Sequence, residues 1–426
     1  MNTKRMLFAL TCAGVMTPVM AQTVNDSNLV VSPYLTGLSQ PTGMVFSGAG
    51  QGFVIEKATG LVKRFEAGAV TGSVLDLSVN SGSERGLLGI ALDPDFSTNG
   101  FTYLYYSSTG GSGGVDNGAW VDNRVARFQW NGTSLVDTGV FRTFGTAADG
   151  QATGPNHNGG PLAFGSDGKL YGTTGDLNRN GVEQNNTGTT QSSAVGGLYR
   201  LNTDLSTPAD NPFTGSQAPF HAYGVRNSFG LAFDPVTGNL WDTENGPGSF
   251  DEINLVAKGF NSGWNLIMGP DSRNSQNESD LVHLSPSGST YSDPEFSFQT
   301  PVGVTALQFL HGSSWGSGYD DAVIVGDNNT GQLYLFRLNA ARTGFVLAGN
   351  LADLVADTTA ERNALVFGDN FSVTTAMHLG ADGALYVTSL GDGAVYRIAP
   401  VPEPGSIVML ALGLGLLVLR LRRRRG

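Results

Sequence analysis

GGPLAFGSDGKLYGTTGD, residues 159–176, reads as a short apolar strand, an Asp167-Gly168 turn and a second strand carrying Leu170-Tyr171. The phrase returns with variations along the chain. It appears as PTGMVFSGAGQGFVIEKATGLVKRF from Pro41, RGLLGIALDPDFSTNGFTYLYYS from Arg85 and SFGLAFDPVTGNLWDTENG from Ser228. Two later copies are YDDAVIVGDNNTGQLYLFRL from Tyr319 and TTAMHLGADGALYVTSLGDGAVYRIA from Thr374. A small sheet of this kind cannot bury both faces alone, and radial stacking of such sheets also protects their edges. The repeat therefore predicts an all-β fold, a six-bladed β-propeller occupying residues 22–400. A β-sandwich uses similar turns but does not repeat one phrase at spacings of roughly 50–70 residues. This spacing exceeds that of WD40 repeats, so long loops are expected to gather on one face, with Thr109–Gly118 and Asp271–Ser287 as the main excursions.

Composition agrees with this reading. The chain has 426 residues, 60 of them Gly and 18 Pro, with 14% charged and 40% hydrophobic. That balance is too apolar for disorder and too Gly-rich for a helical bundle.

The two ends read as processing segments. Residues 1–21 place Lys4 and Arg5 before an apolar run from Met6 to Met16 and close on Val19-Met20-Ala21, the order of a secretory signal peptide cleaved after Ala21. Cys12 is the only cysteine and falls inside this segment, so the mature protein has no disulfide, thiolate metal site or cysteine nucleophile. Residues 401–426 join Pro402-Glu403-Pro404 to an apolar run over 407–419 and then to Arg420 and Arg422–Arg425. The run is short for a span of about 20 residues, but its basic flank is that of a membrane stop. The three-part order resembles the PEP-CTERM sorting signal. That resemblance implies an exosortase-type partner, a short C-terminal membrane helix held at least transiently, and export to the periplasm, cell surface or medium.

Setting aside Lys4, Arg5, the five C-terminal arginines and Glu403 leaves 17 basic against 35 acidic residues, a formal charge of −18 over 22–400. Such a field disfavours nucleic acid as a partner. It suits calcium held by carboxylates and carbonyls.

Three motifs can carry chemistry. GPNHNGG sets His157 in a Gly-rich turn, and Asp176 ends the strand that follows. An imidazole can take a proton near neutral pH, and a carboxylate can fix its tautomer; the plainer role is a turn histidine bonded to backbone. YGVRNSFG puts Arg226 and Asn227 at a strand entry, where they can pin an oxyanion or bridge two blades. ENGPGSFDEINL supplies Glu244, Asp251 and Glu252 beside the Gly246-Pro247 turn, a set of hard oxygen ligands. GGSGG at 110–114 and GSSWG at 312–316 match G-x-S-x-G outside the strand–turn–helix context of a hydrolase. His221, His283, His311 and His378 lack metal-ligand spacing and read as turn or core residues.

ERGLLGIALDPDF, NHNGGPLAFGSDGKLYGTTGD, YGVRNSFGLAFDP and ENGPGSFDEINLVAKGFNSGWN, in this order, resemble the soluble glucose/sorbosone dehydrogenase family. The resemblance runs from about Leu38 to Ala399. It implies oxidation of an aldose or related hydroxyl compound with pyrroloquinoline quinone (PQQ) and calcium. By it, His157 is the general base, Asp176 supports the histidine, and Arg226 and Asn227 contact the quinone oxygens. The carbonyls of Gly246 and Pro247 bind calcium under the cofactor, Asp251 and Glu252 hold a second calcium, and Glu84 stands where some members carry Gln near the cofactor. The chain departs from the pattern where the family supplies a Lys and two Arg to the cofactor's carboxylates. It offers Asn329, Val373 and Thr375 there, with Lys258 or Arg362 as possible substitutes. The alternative function is a calcium-stabilised propeller that has lost the cofactor and binds extracellular carbohydrate or polysaccharide.

Overall fold

The structure is a computed structural model in which residues 21–110, 116–186, 194–284 and 288–402 are described. The signal peptide and the C-terminal membrane helix expected from the sequence lie outside the described residues, as do parts of both long loops.

Six sheets form the molecule, antiparallel but for one pair of strands in the fourth. Their innermost strands are Pro41–Gly48, Leu87–Leu92, Leu162–Phe164, Ser228–Phe233, Val304–Phe309 and Thr374–Leu379. Each of these touches the next and the last touches the first, so the sheets close a ring as six blades. The fold is the expected six-bladed propeller. Blade five differs in register: the phrase from Tyr319 covers its second and third strands, Ala322–Asp327 and Leu333–Arg337, and the innermost strand is Val304–Phe309.

The repeated phrase has a physical cause. In blade three, Asp167 closes the turn around Gly168, whose φ of +70° suits glycine, by accepting from the Lys169 N–H at 3.1 Å. It also accepts from the Tyr171 hydroxyl at 3.1 Å and from Arg200 on the next strand at 3.0 Å. Asp382, Gly383, Tyr386 and Arg397 repeat the arrangement in blade six. Asp, Gly, Tyr and Arg thus lock three strands at one corner, which is why they recur together.

Closure comes from the N-terminus. Leu29–Leu35 pairs antiparallel with Ala394–Pro400, running from Leu29 opposite Pro400 to Leu35 opposite Val395, and supplies the outer strand of blade six. Thr23–Val24 adds a fifth strand to blade five. Between blades four and five, Trp241, Phe296, Phe298, Phe309, Tyr334 and Phe336 form an aromatic core. The segment Val355–Ala356 crosses from blade five to pair in parallel with Phe296–Phe298.

The closing strand yields the first prediction. Leu35 is buried at 1% exposure, while Val30 on the same strand is 42% exposed. Leu35→Ala should cost about 2–5 kcal/mol in urea unfolding and Val30→Ala no more than about 0.5 kcal/mol. Equal effects would show that this strand does not close the ring.

Candidate functional site

Within a blade, the chain enters the innermost strand and leaves the second strand at the same end of the sheet, because the two run antiparallel. Glu84, Asn227 and Val373 precede innermost strands, while Lys57, Asn245 and Asn328 follow second strands. All six line one cavity of about 300 Å³ at that end of the ring. This is the low end of the range of roughly 300–1,000 Å³ for small-molecule sites.

His157 lies beside this cavity, next to the lining residues Glu84 and Gly159. Its φ is +60°, a backbone strain that a non-glycine residue keeps only when its surroundings hold it. The holding bonds are its N–H donating to Glu84 Oε2 at 2.6 Å and its carbonyl accepting from Leu177 N at 3.3 Å. The ring's Nδ1 sits 2.5 Å from Oδ1 of the fully buried Asp176. Asp176 is itself fixed, since Oδ2 accepts from Trp264 Nε1 at 2.9 Å and Gly181 N at 3.2 Å, and Oδ1 from Asn178 N at 3.0 Å. An acceptor-only carboxylate at Nδ1 selects the tautomer with the proton there, which leaves the Nε2 lone pair to receive one.

Arg226 and Asn227 part company. Arg226 Nη1 donates to the carbonyls of Asn245 at 2.8 Å and Gly246 at 3.0 Å, and its guanidinium stacks over Trp264 at 5.4 Å. Arg226 therefore braces the turn behind the cavity, whereas Asn227 forms part of the cavity wall. Asn227 Nδ2 reaches Glu84 Oε2 at 3.5 Å, and its buried Oδ1 has no partner.

The sequence reads two calcium sites, the Gly246 and Pro247 carbonyls under the cofactor and Asp251 with Glu252. The Gly246 carbonyl already accepts from Arg226, and Pro247 is exposed. Asp251 Oδ1 accepts from Gly246 N at 3.0 Å, and Oδ2 accepts from the N–H groups of Val302, Gly303 and Val304 at 2.6–3.2 Å. Glu252, the next strand residue, points to the other face, where Oε1 accepts from Gly269 N at 2.5 Å. Among the described residues, no group of three or more His, Cys, Asp or Glu side chains is arranged to hold a metal ion. Asp251 is a structural brace: it ties the Gly246 turn to the start of blade five.

A profile of the family described as Glucose / Sorbosone dehydrogenase matches residues 38–397. The chain belongs to the glucose/sorbosone dehydrogenase family. A PEP-CTERM protein-sorting motif matches residues 400–425. Quinoprotein glucose dehydrogenase B of Acinetobacter calcoaceticus is 31% identical over 280 residues, 60% of this chain and 56% of that protein. Aldose sugar dehydrogenase YliI of Escherichia coli is 32% identical over 234 residues, 54% of this chain and 60% of that protein. The matches thus span under two thirds of these relatives. The PQQ-bound form of aldose sugar dehydrogenase from Streptomyces coelicolor superposes with a TM-score of 0.64 at 23% identity, covering 90% of this chain and 99% of that one. No helix among the described residues is long and apolar enough to cross a membrane.

Asn329, Val373 and Thr375, the residues at the positions that the resemblance reads for cations, are uncharged. Val373 and Thr375 line the cavity as the sequence suggested, but Asn328 rather than Asn329 joins them. Lys258 and Arg362 are not in the wall. The remaining histidines stand apart as well. His221 packs edge-on against Tyr171, His283 contacts the Ser289 carbonyl, and His311 is on the surface. His378 lines the central channel between the innermost strands. Sequence reasoning missed Lys57, Asn245 and Trp264. Trp264 sits within the quoted GFNSGWN phrase, and Lys57 and Asn245 occupy the same second-strand exit as Asp176; that shared position was the available signal.

Blade four also buries Asp242, Glu244, Glu252 and Glu295, all held above the ordinary carboxylate range chiefly by burial, with Glu295 pushed up to about 7. A carboxyl raised on folding adds stability at low pH, which is lost as pH climbs through its folded value. His221 and His378, pushed down to about 4 by burial, oppose this only below about pH 6.5. In chelator, thermal stability should therefore fall between about pH 6.5 and 8, and Glu295→Gln should shrink that fall. A melting temperature that rises over this window would refute the assignment.

Proposed function

We propose that the protein is an exported sugar dehydrogenase that takes hydride from a sugar hydroxyl carbon with PQQ as acceptor. The observation that carries this is the buried Trp264–Asp176–His157 chain, which ends beside a cavity of about 300 Å³ lined by both polar and apolar groups. Asn227 and Asn328, whose amide N–H groups make only long contacts within the protein, would offer donors to the cofactor's acceptor oxygens there. When bound, the quinone supplies a two-electron acceptor. The protein's own part is proton removal: His157 Nε2 takes the hydroxyl proton as the carbon gives up hydride, and Asp176 stabilises the imidazolium that forms. Trp264 and the backbone donors on Asp176 keep that carboxylate aimed at the ring, so the base is positioned before substrate arrives. Arg226 serves by fixing the Gly246 turn and Trp264. Calcium belongs to this reading as an ion included in the assay; the ligands proposed for it under the cofactor are the Gly246 and Pro247 carbonyls. The PEP-CTERM match supports export to the cell envelope with sorting by an exosortase-type enzyme.

A second reading has one observation in its favour: Asn328, Val373 and Thr375 make the far wall neutral, as a binding site for uncharged carbohydrate would be. The two readings separate on His157. With residues 22–400, PQQ and calcium, dye reduction by an aldose should fall about 10²–10⁴-fold in His157→Ala. PQQ affinity should change little. A binding module would show no sugar-dependent dye reduction even in the unaltered protein.

A further inference from the structure

Apart from Glu84, one residue lining the cavity carries a charge, and it is Lys57. It follows the strand Gln51–Glu56, and its backbone is clamped on both sides. Its N–H donates to the Gln40 carbonyl at 2.9 Å, and its carbonyl accepts from Leu87 N, the first residue of the next blade's innermost strand, at 3.0 Å. The stem passes over Gly86, where a Cβ would come within 2.6 Å of Lys57 Cγ and 2.4 Å of its carbonyl oxygen. With a φ of +149°, Gly86 provides both the backbone angle and the space that let the lysine lie there.

The ammonium is poorly partnered for its setting. It donates to the Ser81 carbonyl at 3.3 Å and forms no ion pair, although Lys63 nearby is paired with Glu56 at 2.6 Å. The Glu84 carboxylate acts on it electrostatically but makes no hydrogen bond or ion pair with it, and Glu84 Oε2 accepts from His157 N and Asn227 Nδ2. Partial burial lowers the ammonium's pKa despite Glu84, a desolvation cost that a hydrogen-bonded carboxylate in the cavity would offset.

Resting on the PQQ reading above, we propose that Lys57 binds one carboxylate of the cofactor, in a site where the positions read for cations carry Asn329, Val373 and Thr375.

The test is titration of residues 22–400, calcium-loaded, with PQQ at several salt concentrations, followed by quenching of intrinsic fluorescence. Lys57→Met keeps the stem over Gly86 and removes the charge, and Lys57→Arg restores the charge. Lys57→Met should bind PQQ about 10–100-fold more weakly, with a flatter salt dependence, and Lys57→Arg should stay within about threefold of the unaltered protein. Equal affinity of Lys57→Met and the unaltered protein would overturn the role of Lys57 and leave the cofactor reading standing. No binding by the unaltered protein would overturn both. If thermal unfolding shows that Lys57→Met does not fold, the salt series on the unaltered protein decides: affinity that is insensitive to salt overturns the proposal.

Discussion

Antiparallel pairing of the two inner strands of each blade is the constraint on which the site depends. It brings the entry to the first strand and the exit from the second to the same end six times over, and ring closure then gathers these twelve short segments around one axis. His157 and Asp176 show the result, since they flank the innermost and second strands of blade three and meet at 2.5 Å. Glu84 from blade two, Asn227 and Asn245 from blade four and Lys57 from blade one reach the same space by the same rule. Trp264 comes from a loop outside the sheets. It is recruited because Asp176 needs a donor on its second oxygen.

Much of the fold was legible because the Asp-Gly-x-Leu-Tyr corner is a local device. Asp167, Gly168, Tyr171 and Arg200 lock three strands through contacts that the sequence repeats. Blade five lacks the corner in its inner pair, which explains why its phrase was read one strand too far out. The N-terminal strand Leu29–Leu35 carries no such device, and its pairing with Ala394–Pro400, more than 300 residues distant, follows only from the closed ring.

The site was legible where chemistry depends on residue type and obscure where it depends on occupancy of lone pairs. His157 and Asp176 stand out in sequence and meet in space. Asp251 also stands out, yet four backbone N–H groups use its oxygens, a fact that no motif encodes. Arg226 likewise looks free in the sequence, but its Nη1 donates to two carbonyls and its guanidinium lies over an indole face. In the other direction, Lys57 is inconspicuous in ATG-flanked sequence and gains meaning only from the neutral wall it faces.

The central claim is that a sugar gives up hydride in this cavity with His157 receiving the proton. Stopped-flow spectroscopy of the PQQ-loaded protein mixed with an aldose, with no other electron acceptor present, tests it most directly. The account predicts bleaching of the oxidised quinone absorbance in a single turnover, with a rate that disappears in His157→Ala. A bound quinone whose spectrum is unchanged by every aldose tried would contradict it.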